Sequence, residues 1–72
     1  MLEEKETELL KSVGEKIRKR RNELKLSQAV LSYDANIPRN QVGRIERGEI
    51  STSITTLQKL CTALKIEIRD LF

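Results

Sequence analysis

Apolar residues recur along this chain at intervals of three and four, the spacing of one face of an α-helix. Leu9 or Leu10, Val13, Ile17, Arg21 and Leu24 form the first such stripe and predict one helix over residues 3–25. Arg21 stands on that stripe among apolar neighbours. Glutamates crowd the start of the segment and lysines and arginines its end, the order that the helix dipole favours. Gly14 interrupts it at a cost of up to ~1 kcal/mol relative to alanine, so the well-ordered part is expected to begin near it. The acidic first turns then either fray or pack on a neighbour.

A short turn at Lys25 and Leu26 leads to Ser27, a good N-cap for a second helix that ends at Asp34 or Ala35 with Leu31 and Ala35 inward. Asn36 suits the left-handed residue of a tight turn, Ile37 returns to the core, and Pro38 opens a third helix with its fixed φ. This third stretch, Ile37 to Gly48, puts Val42 and Ile45 on its inner face. Arg39, Asn40, Gln41 and Arg44 lie on its outer face. After a polar stretch from Glu49 to Thr52, Thr52 or Ser53 caps a fourth helix carrying Ile54, Leu57, Leu60, Cys61 and Leu64. A last short helix is expected from about Glu67 to the end. No run alternates with period two, so the expected fold class is all-α with five helices.

Composition narrows the class. At 72 residues the chain makes one small domain, and 38% apolar with 35% charged residues fits a folded helical module with a heavily charged surface. The net charge of +3 hides an asymmetry. Four glutamates against one lysine give the first ten residues −3, and the other 62 residues carry 13 basic and 7 acidic groups, or +6. Most of that excess lies between Lys16 and Arg47, whereas residues 48–72 balance. A polyanion-facing half beside a neutral support accounts for this pattern, and on charge alone a solvated face accounts for it equally well.

A single cysteine, Cys61, and no histidine exclude an intrachain disulfide and a zinc site of the usual kind. Cys61 reads as a small buried apolar residue. No apolar run approaches a membrane span, and a cytoplasmic, nucleoid-associated location is expected. With no histidine, no paired carboxylates in a cleft and no phosphate loop, the chain has nothing from which to build a catalytic constellation; neither enzymatic activity nor a cofactor is expected.

The outer face of the third helix carries side chains that suit base edges. Arginine bonds bidentately to guanine, and asparagine or glutamine to adenine, in a groove wide enough to admit a helix. A helix opening at Ser27, a turn at Asn36 and a second helix opening at Pro38 form a helix-turn-helix pattern. Through Ile17, Arg18, Arg21, Leu26-Ser27-Gln28, Leu31, Ala35, Ile37, Val42, Arg44-Ile45-Glu46-Arg47-Gly48, Leu57, Leu60, Ala63-Leu64, Ile66, Ile68 and Leu71-Phe72, the sequence resembles the lambda repressor and Cro class, or Xre family. The resemblance covers residues 13–72 and leaves residues 1–12 as an acidic N-terminal extension of the first helix.

The resemblance implies roles at matching positions. Arg39, Asn40, Gln41 and Arg44 would read bases; Arg18, Ser27, Gln28, Arg47, Ser51 and Thr52 would contact the sugar-phosphate backbone. Arg21 and Glu46 would form a buried or half-buried salt bridge tying the first helix to the end of the third, a structural role rather than a binding one. Gly48 fits a left-handed C-cap. Double-stranded DNA is the expected partner, bound by a homodimer. Ile54, Ile68, Leu71 and Phe72 hold more apolar surface than so small a core absorbs and are expected at its interface, although in the family Ile68 and Leu71 also serve the core.

Several positions depart from the family, among them Cys61 where alanine is usual and Ala29 and Val30 where charged residues are common. Asn36 and Lys65 stand where glycine is common, and Gly43 sits inside the third helix, where it either lets the backbone approach DNA or simply weakens the helix. Ala29, Val30 and Tyr33 form a small apolar patch on the second helix. That patch, or the acidic N-terminus, would serve an alternative function as an antitoxin-like module that holds a protein partner. With no sensor domain after Phe72, control by the protein's own concentration is expected, unless these residues are a piece of a longer repressor.

Overall fold

The structure, a computed structural model, describes residues 3–72. Four α-helices form where the apolar stripes place them: α1 (Glu4–Glu23), α2 (Gln28–Ala35), α3 (Arg39–Glu46) and α4 (Ile54–Leu64). No strand occurs among the described residues. The expected fifth helix is instead one 3₁₀ turn, Ile68–Leu71. The chain there is closed by local bonds: Asp70 accepts from the Glu67 amide at 2.8 Å, and the Asp70 amide donates back to the Glu67 carbonyl at 2.9 Å. Such a reciprocal cap fixes a tight turn of i to i+3 bonds.

Each α-helix ends in the same Schellman motif, with a left-handed residue whose successor donates back into the last turn. Lys25, Asn36, Gly48 and Lys65 take φ values of 58°, 55°, 71° and 59°. The bonds Leu26 to Arg21, Ile37 to Ser32, Glu49 to Arg44 and Ile66 to Cys61, all amide to carbonyl, lie between 2.9 and 3.0 Å. Asn36 and Lys65 therefore do what glycine commonly does at these positions. Gly48 alone is obligatory, because a Cβ there would lie 2.8 Å from Lys11 Cγ and 2.9 Å from Lys11 Cα. Serine caps start α2 and α4, with Ser27 Oγ accepting from Val30 at 3.0 Å and Ser53 Oγ from Thr56 at 3.1 Å.

Val13, Ile17, Leu31, Ala35, Val42, Ile45, Leu60, Cys61, Leu64 and Leu71 are buried together in one core. Burial raises the Cys61 thiol pKa above its ordinary value, and Asp70 and Glu67 add to the effect. Arg20 joins α1 to the far side of that core by donating from Nε to the Leu64 carbonyl, one of the free acceptors at the end of α4, at 2.9 Å.

The α1 helix runs unbroken through Gly14, so the acidic extension continues it; residues 1 and 2 of that extension lie outside the described residues. Gly14 marks a close backbone approach of α1 to α3 rather than the start of order. A Cβ on Gly14 would sit 2.4 Å from the Ile45 carbonyl oxygen and 2.5 Å from that of Glu46. Gly14→Ala should therefore destabilise the fold by about 1–3 kcal/mol in chemical denaturation, against the helix-propensity gain of up to ~1 kcal/mol. A stabilised variant would show that α1 and α3 do not meet this closely.

Candidate nucleic-acid interface

Glu46 lies at the C-terminal end of α3 on its inward face, and its carboxylate meets the Arg21 guanidinium of α1 side-on. Arg21 Nε donates to Glu46 Oε2 at 2.6 Å and Nη2 to Oε1 at 3.0 Å, while Nη1 donates to the Leu26 carbonyl at 2.8 Å. The Glu46 side chain is 2% exposed and that of Arg21 11%. Hydrogen bonding to Glu46 raises the Arg21 pKa, against the lowering effect of burial. A third partner joins from α2, where Gln28 Nε2 donates to Glu46 Oε1 at 3.0 Å. One carboxylate thus ties α1, α2 and α3 together, with both its oxygens occupied.

Gly43 belongs to the same arrangement. A Cβ there would lie 3.0 Å from Arg47 Nη1 and 3.3 Å from Gln28 Oε1, so the bare backbone at this position leaves room for both side chains. Gly43 is itself buried, beneath Gln28 and Arg47 rather than on the outward face of α3.

With Val42, Ile45 and Glu46 turned inward, Arg39, Asn40 and Arg44 are exposed and Gln41 is half-buried. Ser27 and Gln28 at the start of α2 line one surface depression with Arg39 and Asn40 at the start of α3. The α2 N-terminus and the first turn of α3 are thus neighbours. Arg47 is exposed and paired with Glu49. Arg18 instead lines a separate surface on α1 with Glu15, Lys19, Asn22 and Glu23. Ser51 and Thr52 border an apolar hollow of about 180 Å³ lined also by Leu9, Leu10, Val13, Ile45, Ile50, Leu57 and Phe72. Among the described residues, no group of three histidine, cysteine, aspartate or glutamate side chains stands ready to hold a metal ion.

The helix-turn-helix family HTH_3 matches residues 17–71. The chain belongs to this family. It is the Xre-like, lambda repressor-like family of DNA-binding transcription regulators that the sequence resembles. The immunity repressor protein of Bacillus phage phi105 is 37% identical over 57 residues, which make up 79% of this chain and 40% of that protein. The chain therefore spans about two fifths of the length of this relative. The restriction-modification controller protein C.AhdI from Aeromonas hydrophila superposes with a TM-score of 0.85 at 40% identity, covering 88% of this chain and 96% of that one. An HTH_3 family transcriptional regulator from Vibrio cholerae shares the fold, with a TM-score of 0.86 at 24% identity over 93% of this chain and 38% of that one.

Of the residues placed at the dimer surface by sequence, Ile54 and Phe72 are 70% and 63% exposed. Leu71 is a core residue of its own chain and Ile68 packs partly against that core, because the 3₁₀ turn closes the domain beneath α1 and α4. Of the two leucines that the first stripe offers, Leu10 is the half-buried one and Leu9, at 50% exposure, adds an apolar side chain to the surface. Two polar contacts lack any periodic signature. Arg20 seals α4, and Glu49 reaches back across the Gly48 turn to Arg47 and Arg44.

Glu46→Ala should cost about 3–5 kcal/mol of stability, since it leaves the Arg21 guanidinium buried without its counter-charge. Denaturant unfolding followed by circular dichroism measures this directly. A variant of native stability that merely binds DNA less would show the pair to be a binding feature instead.

Proposed function

We propose that this chain is a sequence-specific transcriptional regulator that binds a two-fold symmetric operator as a homodimer, with α3 in the major groove. The observation that carries the reading is the fixed division of α3. Its inner face is held by the core and by Glu46, while Arg39, Asn40 and Arg44 stand exposed beside the N-terminus of α2. Arg39, Asn40, Gln41 and Arg44 then read base edges. Ser27, Gln28, Arg47, Ser51 and Thr52 contact phosphates, the first two beside the free amides that begin α2. Arg18 adds a more distant phosphate contact from α1.

Ile54, Phe72 and Leu9 supply the apolar surface of the dimer, and Ile68 and Leu71 hold the terminal turn that presents Phe72. The named roles of the two relatives, an immunity repressor and a restriction-modification controller, support a regulator acting on DNA. No helix among the described residues is long and apolar enough to cross a membrane. Acting on DNA as a regulator would place the protein in the cytoplasm. We assign it neither a cofactor nor an enzymatic activity.

A second reading, a protein-interaction module of antitoxin type with secondary DNA binding, draws on the exposure of Tyr33 and Val30 on α2. Selection of bound duplexes from a random pool distinguishes the two. The regulator yields a symmetric consensus with half-sites about one helical turn, roughly 10 base pairs, apart. No enrichment, together with a stoichiometric protein partner recovered at physiological salt, favours the second reading.

On the selected duplex, Arg44→Ala should cost about 1–3 kcal/mol and relax discrimination at one or two positions. An equal loss on random DNA would make Arg44 a phosphate contact. Gln28→Ala should weaken binding by a similar factor on every sequence, measured by titration against operator and scrambled duplexes.

A further inference from the structure

Glu49 stands on the DNA-facing side of the domain as an acidic group among the cations that would meet DNA. Its placement is built in. The Glu49 amide donates to the Arg44 carbonyl at 2.9 Å, and the preceding Gly48 is lodged against Lys11 of α1, so the backbone that carries the carboxylate is fixed. Glu49 accepts from Arg47 Nε through Oε2 and from Arg47 Nη2 through Oε1 at 3.3 Å. The same Oε1 lies 4.0 Å from Arg44 Nε. One carboxylate thus faces both a proposed base reader and a proposed phosphate contact. Hydrogen bonding from Arg47 lowers the pKa of this carboxyl from its ordinary value.

We propose that Glu49 is a specificity-determining residue, which restrains Arg44 and Arg47 in the free protein and thereby suppresses binding to non-operator DNA. The inference rests on the DNA-binding reading above. Binding to arbitrary sequence draws almost entirely on cations neutralising phosphates. A carboxylate carried on a fixed backbone beside two such cations weakens that term on every duplex, because it competes for their donors and repels nearby phosphates. On the operator the loss is offset. Arg47 is held by two hydrogen bonds and Arg44 lies within ionic reach of the same carboxylate, so less conformational freedom is lost when they meet bases and backbone from that geometry. The carboxylate therefore widens the gap between operator and random DNA rather than setting affinity as such.

Glu49→Gln removes the charge and keeps the shape. We expect affinity for a scrambled duplex to rise about two- to fivefold, while affinity for the duplex selected from a random pool stays nearly level. The slope of log K against log salt on the scrambled duplex should steepen by about 0.9, the increment for one further neutralised phosphate. Equal tightening on both duplexes would overturn the proposal, leaving Glu49 a general electrostatic brake. Loss of operator affinity with random binding unchanged would also overturn it, making Glu49 a direct reader of a base. If the wild-type chain binds neither duplex, the DNA-binding reading itself fails; if wild type binds and the variant alters neither ratio nor slope, only the role of Glu49 fails. An unchanged melting temperature for the exposed substitution separates these results from a folding defect.

Discussion

The Glu46 carboxylate is the point on which the domain depends. Buried charge is tolerated only when paired and hydrogen-bonded, and here both carboxylate oxygens are filled by Arg21 and Gln28. Because those partners come from α1 and α2, the pairing fixes both the depth and the rotation of α3. A helix of eight residues has little rigidity of its own. Its outward face is defined by what holds its inward face.

The glycines at the ends of this anchor have a common cause. Gly14 lets the α1 backbone touch the carbonyls of Ile45 and Glu46, and Gly48 lets the chain leave α3 across Lys11. Both lie where α1 and the end of α3 are in backbone contact, so the approach that brings Arg21 within reach of Glu46 leaves no room for a Cβ. Gly43 differs in kind, since its neighbours are the movable ends of Arg47 and Gln28. The site therefore rests on a rigid seam on one side and adjustable polar side chains on the other.

Much of this was legible in the sequence because the helices obey strong local rules. Ser27 announces one helix start and Thr52 or Ser53 another, of which Ser53 is the cap; Asn36 announces the turn, and the three-and-four stripes give the core residues. Arg21 stands out as a charge on an apolar stripe, and its pairing with Glu46 is what the resemblance to the family implies. Other features depend on contacts between segments far apart in sequence, which periodicity does not encode. Gly14 reads as a weak point in α1 and is a crossing point; Leu71 is expected at a dimer interface and is core; and Gln28 is bonded to Glu46. Glu49 carried no signal at all, since its position follows only from the geometry of the Gly48 turn. The 3₁₀ turn at the end likewise reflects the reciprocal cap between Glu67 and Asp70.

The most direct test of the account is a double-mutant cycle on the anchor, with Arg21→Met, Glu46→Met and the combined variant compared by denaturant unfolding. If the pair is the buried joint between α1 and α3, each single change should cost about 3–5 kcal/mol. The combined change should then cost far less than their sum, with a coupling energy of about 2 kcal/mol or more. Losses that simply add would contradict the account, because they would mean that Arg21 and Glu46 stabilise the domain independently and that α3 is held in place by something else.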